Sequence, residues 1–154
     1  MKVYELRTRV RLPRPRPEVF EFFADAGNLE SITPPWLRFR IVTPSPIEMC
    51  QGALIDYRLR LRGIPLLWKT EITAWDPPRR FVDEQLRGPY RLWIHEHTFE
   101  EDGDGTIMED HVRYAVPFGW LADRLLVARD LRAIFEYREA RILELLSAPR
   151  LLRH

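Results

Sequence analysis

Five stretches of two-residue hydrophobic alternation follow one another between residues 53 and 116, parted only by short turns. The alternation places strands near 53–62, 66–75, 80–87, 90–100 and 105–116, preceded by one near 37–43. Gly63-Ile64-Pro65, Asp76-Pro77-Pro78, Gly88-Pro89 and Asp102-Gly103-Asp104-Gly105 are the turns. Parallel neighbours need a crossover of about a dozen residues or more, so connections this short specify an antiparallel meander. Residues 3–12 add a further strand, with Tyr4, Leu6, Thr8 and Val10 on one face and Glu5, Arg7, Arg9 and Arg11 on the other. One face of such a strand is buried and the other solvated.

Pro13, Pro15 and Pro17 end that first strand. Pro17 suits the first turn of a helix, where its missing N–H costs nothing. The helix runs to about Ala26 and buries Val19, Phe20, Phe22 and Phe23, with Gly27-Asn28 as its stop. A helical turn at 28–32 then meets Thr33-Pro34-Pro35-Trp36, which is extended or turning. The last element is a long helix over about 120–147, roughly 40 Å in length, stopped by Pro149. Its apolar stripe is Leu121, Leu125, Ala128, Leu131, Phe135, Ile142, Leu145 and Leu146. Arg124 and Arg138 fall inside the stripe. Arg124, near the helix start, reads as a snorkelling side chain with its head in water. For mid-helix Arg138 that reading and a buried functional cation stand level. Packing such a sheet around one helix gives an α+β fold, and a strongly curved sheet leaves a cavity beneath the helix.

The 154 residues fit one domain over 1–154. With 24 basic and 23 acidic side chains the net charge is +1, so the molecule as a whole carries no field for nucleic acid. One cysteine, Cys50, excludes an internal disulfide framework and reads as a packing residue. The N-terminus lacks the apolar core of a signal peptide, and no apolar run nears the ~20 residues of a membrane span. A soluble, cytoplasmic protein without stable membrane insertion is the expectation.

Residues 93–99 concentrate the chemistry. As a strand they put Trp93, His95, His97 and Phe99 on one face. Two imidazoles between two large aromatics make either a polar cluster in a ligand cavity or a metal site short of ligands.

Several motifs together resemble one family. They are Asn28-Leu29-x-x-Ile32-Thr33-Pro34-Pro35-Trp36-Leu37, Phe81-x-Asp83-x-Gln85-x-x-Gly88-Pro89-Tyr90 and Trp93-x-His95-x-His97-x-Phe99. Asp110-x-Val112-x-Tyr114-x-x-Pro117-x-Gly119 and Ile134-Phe135-x-Tyr137-Arg138 complete the set. In this order they resemble the START-like helix-grip superfamily (SRPBCC, or polyketide cyclase/dehydrase-like), above all its small bacterial domains, some of them fused to an epimerase-like domain. The resemblance spans about residues 1–147. It implies a helix-grip fold, with a curved antiparallel sheet of about seven strands around a long C-terminal helix and two short helices after strand 1. It also implies a deep cavity for an apolar or amphipathic small molecule, but no single activity.

Alternation makes Tyr57 and Trp68 inward-facing, as cavity wall or plain core. On strand 80–87 periodicity decides nothing, and the resemblance turns Phe81, Asp83 and Gln85 inward. On strand 105–116 the inward set is Met108, Asp110, Val112 and Tyr114. If these faces converge, Gln85, His95, His97, Asp110 and Tyr114 line an apolar chamber, with Arg138 approaching from the helix. Trp36, Tyr57, Trp68 and Trp93 complete the ligand-binding set. A few placed polar groups in an apolar cavity are what small-molecule recognition requires.

Two sharper readings stand beside this one. His-x-His with an oxygen from Asp110 or Gln85 resembles part of a metal site, but no third strong ligand is evident, so no metal or other cofactor is expected. Alternatively His95, His97 and Asp110 act as acid–base groups of a cyclase or dehydratase. The primary expectation is non-enzymatic binding or transport of a hydrophobic small molecule such as a lipid, quinone, polyketide or aromatic metabolite. Leu92 and Ile94 offer a patch for a homodimer.

Overall fold

The computed structural model describes residues 1–117 and 126–147. The elements are β1 (Tyr4–Leu12), α1 (Arg16–Ala24), α2 (Asn28–Ser31), a 3-10 turn (Pro35–Leu37) and β2 (Arg40–Ile41). β3 (Leu54–Leu61), β4 (Ile64–Asp76), β5 (Arg80–Arg87), β6 (Leu92–Asp102), β7 (Gly105–Ala115) and α3 (Ala128–Ser147) follow. All seven strands form one antiparallel sheet in the order β1-β7-β6-β5-β4-β3-β2. β1 pairs with the last strand, β7, so the meander is closed by its own first strand. No helix among the described residues is long and apolar enough to cross a membrane.

Side-chain period explains the layers. On β6, Trp93, His95, His97 and Phe99 are buried, while Ile94, Glu96 and Thr98 are only half-buried. On β7, Met108, Asp110, Val112 and Tyr114 are buried. α3 lays Leu131, Phe135, Arg138, Ile142 and Leu146 on the same inner layer, at the three- and four-residue spacing of one helix face. Arg138 is 7% exposed and does not snorkel. The expected helix start at residue 120, with Leu121, Arg124 and Leu125, lies outside the described residues.

The core has two ends. At one, Phe20 and Phe23 of α1 pack on Phe81, Phe99, Met108 and Ile142. At the other, Trp93, Val112, Tyr114, Leu131 and Phe135 pack together. The imidazoles of β6 lie between them.

Several boundaries move by one or two residues, β6 for example running Leu92–Asp102 rather than 90–100, and two of the differences have a clear local reason. The β3–β4 hairpin turns on Arg62-Gly63, both with positive φ (50° and 79°), so β4 already begins at Ile64. A two-residue turn with both φ positive matches the twist of the flanking strands. β2 shrinks to two residues because the 3-10 turn runs through Leu37 and Arg38 takes a left-handed conformation, φ 46°.

Candidate functional site

Cross-strand register assembles the polar cluster. Asp83 on β5 lies opposite His95, and Asp110 on β7 lies opposite His97. Each histidine is therefore flanked by carboxylates from both sides. His97 Nε2 is 2.6 Å from Asp83 Oδ2, and His95 Nε2 is 2.7 Å from Asp110 Oδ1. His97 Nδ1 also approaches Asp110 Oδ1 at 3.2 Å. Arg138 reaches in from α3 and places Nη2 3.3 Å from Asp110 Oδ1. Thr8 on β1 donates its hydroxyl to Asp110 Oδ2 at 3.2 Å. The two imidazoles stack at 3.7 Å between centroids, and Phe81 stacks on the far side of His97 at 4.0 Å.

The protonation states follow from this packing. Burial opposes ionisation of Asp110, but the Arg138 guanidinium and the hydrogen bonds from His95 and His97 outweigh it and hold the carboxyl well below its usual range. Burial likewise opposes ionisation of Asp83, and the charges and hydrogen bond of the two histidines, with Arg138, overcome it and lower its pKa. His95 is pushed down, by burial first and by the neighbouring His97 charge second. His97 is raised because its hydrogen bonds to Asp110 and Asp83 outweigh its own burial. Two positive charges at the stacking distance would repel by about 4 kcal/mol at an effective dielectric near 20, which keeps the pair from charging together.

The opposite directions of the two shifts make His97 the imidazole that holds a proton more readily and His95 the one that favours the neutral form. With that proton on His97, and with Asp83, Asp110 and Arg138 charged, the buried cluster sums to zero. His95 donates Nε2–H to Asp110. Its Nδ1, 3.7 Å from Asp83 Oδ2, has no hydrogen-bond partner among the described residues. This nitrogen is an open acceptor.

The cluster forms one wall of a cavity of about 160 Å³ under α3. Apolar and aromatic side chains make most of its lining, among them Phe39, Tyr57, Leu59, Trp68, Trp93 and Phe135. A smaller cavity of about 50 Å³ adjoins it, with Tyr57, Asp83, His97 and Arg138 lining both. Asp83 keeps 20% of its side chain exposed, against 7% for Asp110. Asp83 is thus the carboxylate that faces the cavity, and Asp110 is sealed behind the imidazoles. Burial, reinforced by the Asp83 charge, raises the Tyr57 pKa and keeps its hydroxyl protonated.

Of the residues expected to line the chamber, Tyr57, Trp68, Trp93, His95, His97 and Arg138 do so. Asp110 belongs to the cluster from behind. Trp36, Gln85 and Tyr114 are placed elsewhere. Trp36 is 57% exposed and packs edge-on against Tyr137 of α3. Tyr114 is stacked on Tyr4 at 5.7 Å, within the core. Gln85 clamps the β5–β6 turn: Nε2 donates to the Tyr90 carbonyl at 2.7 Å, and Oε1 accepts from the Tyr90 N–H at 3.1 Å. A Cβ at residue 88 would lie 2.4 Å from Gln85 Oε1, so the Gln85 clamp in this geometry leaves room only for glycine there. The Gln85-x-x-Gly88-Pro89-Tyr90 motif is therefore architectural. Asp83 was absent from the expected lining set, although the inward face assigned to its strand carried the signal.

Asp83, His95 and His97 bring one donor atom each within 4.8 Å of one another, the only such group of metal-ligating side chains among the described residues. The donor set suits a cation poorly. His97 Nε2 and Asp83 already bond each other, and the Arg138 guanidinium stands 3.4 Å from His97 Nδ1.

Comparison with known proteins agrees with the fold. A family model described as polyketide cyclase/dehydrase and lipid transport matches residues 12–138. No curated protein matches the chain. Among solved structures, Zhui aromatase/cyclase from a Streptomyces species is 19% identical with a TM-score of 0.69, covering 95% of this chain and 94% of that one. Ginseng major latex-like protein 151 from Panax ginseng is 12% identical with a TM-score of 0.69, covering 95% and 99%. A nucleoside-diphosphate sugar epimerase from Corynebacterium glutamicum is 24% identical with a TM-score of 0.71, but the match covers 92% of this chain and only 29% of that one.

Proposed function

The chain belongs to the polyketide cyclase/dehydrase and lipid transport family, and from that premise we propose that it binds and carries a mostly apolar small molecule bearing an oxygen function. The observation that carries this reading is the polarity of the cavity. Its wall is apolar and aromatic apart from Thr33 and Thr70, and its charged and imidazole groups are gathered where Asp83, His95, His97 and Arg138 meet. Such a site buries a ring or chain by the hydrophobic effect and orients it through one polar end. The open Nδ1 of His95 and the exposed oxygen of Asp83 are acceptors, matching a hydroxyl or enol of the guest. Arg138 and the protonated Tyr57 supply donors for a carbonyl.

A second reading has its own support. A neutral histidine with an open nitrogen beside a carboxylate is equipped to take a proton from a carbon or hydroxyl of the guest. A cyclase or dehydratase would use His95 as that base and the apolar wall as a template. Titration with 1-anilinonaphthalene-8-sulfonate, displaced by a naphthoquinone, an aromatic polyketone and a fatty acid, tests both readings. Saturable displacement by one class, weakened in His95→Ala and Asp83→Asn with the guest's mass unchanged on incubation, is the expected result. A guest converted by the wild type and left intact by His95→Ala favours the enzyme. Absence of displacement by every class contradicts both.

A further inference from the structure

Outward-facing arginines on most of the sheet meet an acid. Arg9 pairs with Glu109, Arg11 with Asp102 and Arg80 with Glu96. The β2–β3–β4 corner is different. Arg38, Arg40, Arg58 and Arg60 line one shallow surface groove, and no acidic side chain lines it with them. All four are exposed, and none forms an ion pair with another described residue. Arg40 lies directly opposite Arg58 across the strand pair. Like charges in that register are destabilising, and no ion pair among the described residues offsets them.

Apolar side chains interleave with these charges. Leu67 is the cross-strand neighbour of Arg58, and Pro65 that of Arg60. Leu67 in the groove is 69% exposed, and Ile64, paired with Leu61 at the hairpin tip beside the groove, is 63% exposed; they are the most exposed large apolar side chains apart from Met1 among the described residues. Leu59 lines both this groove and the internal cavity, and Leu61, at the end of the same strand, lines the cavity too. The corner thus adjoins the wall of the chamber.

We propose that this corner docks on an anionic lipid membrane. The arginines meet lipid phosphates, and Ile64 and Leu67 enter the boundary between headgroups and acyl chains. Interleaved basic and protruding apolar groups are the composition of surfaces that lie on bilayers. A nucleic acid would leave Ile64 and Leu67 without a partner, and the groove's lining holds no aromatic ring on which a base stacks. Docking here sets the β3–β4 hairpin, and with it one wall of the cavity, against the lipid. It does not depend on what the cavity holds.

The test is flotation of the full chain with vesicles of phosphatidylglycerol in phosphatidylcholine and with vesicles of phosphatidylcholine alone. Binding to the anionic vesicles is expected, weaker by at least about tenfold on neutral ones or with Arg58→Glu/Arg60→Glu. Ile64→Ser/Leu67→Ser should weaken it as well. All four positions are exposed, and circular dichroism confirms that each variant is folded. Failure to bind anionic vesicles overturns the proposal and leaves an acidic protein as the partner of the arginines. Binding that charge reversal does not weaken, or that is equal on neutral lipid, also overturns it.

Discussion

Arg138 on α3 and Asp110 on β7 meet at 3.3 Å across the two layers of the fold, with 9% and 7% of their side chains exposed. The pair fixes how the helix sits over the imidazoles. Removing one partner of a buried pair leaves an uncompensated charge, a loss of roughly 3–5 kcal/mol. Arg138→Leu is therefore expected to lower unfolding stability in urea by that order. Arg138→Leu/Asp110→Asn should cost less than the sum of its single variants, since neither charge is then stranded.

Stability should peak near neutral pH and fall on both sides. The folded-state pKa of His97 is raised, so its contribution is complete below the unfolded value near 6.5 and is lost as pH rises through the folded pKa. His95 is depressed, so its contribution is present above about 6.5 and is lost as pH falls toward the folded value. Asp83 and Asp110, also depressed, add a second loss below about pH 4. Melting temperature measured against pH should lose its alkaline limb in His97→Asn and flatten between about pH 6.5 and the lower His95 value in His95→Asn.

The β5–β6 turn gives a stability test remote from the chemistry. Gly88→Ala puts a methyl where Gln85 Oε1 now sits, which breaks both hydrogen bonds to Tyr90. The side chain can swing aside, so a loss of about 1–2 kcal/mol in thermal or urea unfolding is expected rather than failure to fold. Gln85→Ala should show a similar loss, and the double variant little more.

Ile134 lines the cavity and is half-buried. Ile134→Trp directs an indole into the space the guest would take. Guest affinity should fall by more than about tenfold while the melting temperature holds within a few degrees. A retained affinity in dye displacement would place the guest elsewhere.

The fold was legible because its signals are local. Alternation over 53–116, the prolines before α1 and the stripe from Leu131 to Leu146 each specify an element without knowledge of its neighbours. The facing of His95 and His97 came from the same period. Other features depend on register, which alternation alone leaves open. That Asp83 rather than Gln85 meets the imidazoles follows from its pairing with His95 and from the shift in β4–β5 pairing between Lys69 and Thr70, beside Gln85. Arg138 could not be told from a snorkelling side chain until Asp110 and the rings of Phe23 and Phe135 were placed around it. The arginine corner was hidden by a net charge of +1, because 23 acidic side chains spread over the rest of the chain balance it in the sum.

The central claim is that the chamber under α3 holds an apolar guest oriented by Asp83, His95 and His97. Native mass spectrometry of freshly purified protein, wild type beside Ile134→Trp and Asp83→Asn, tests it most directly. The expected result is a bound organic species on the wild type that solvent extraction releases, much reduced with Asp83→Asn and absent with Ile134→Trp. Bare protein mass in the wild type even after incubation with naphthoquinone, polyketone and fatty acid, or the same adduct on all three proteins, would contradict it.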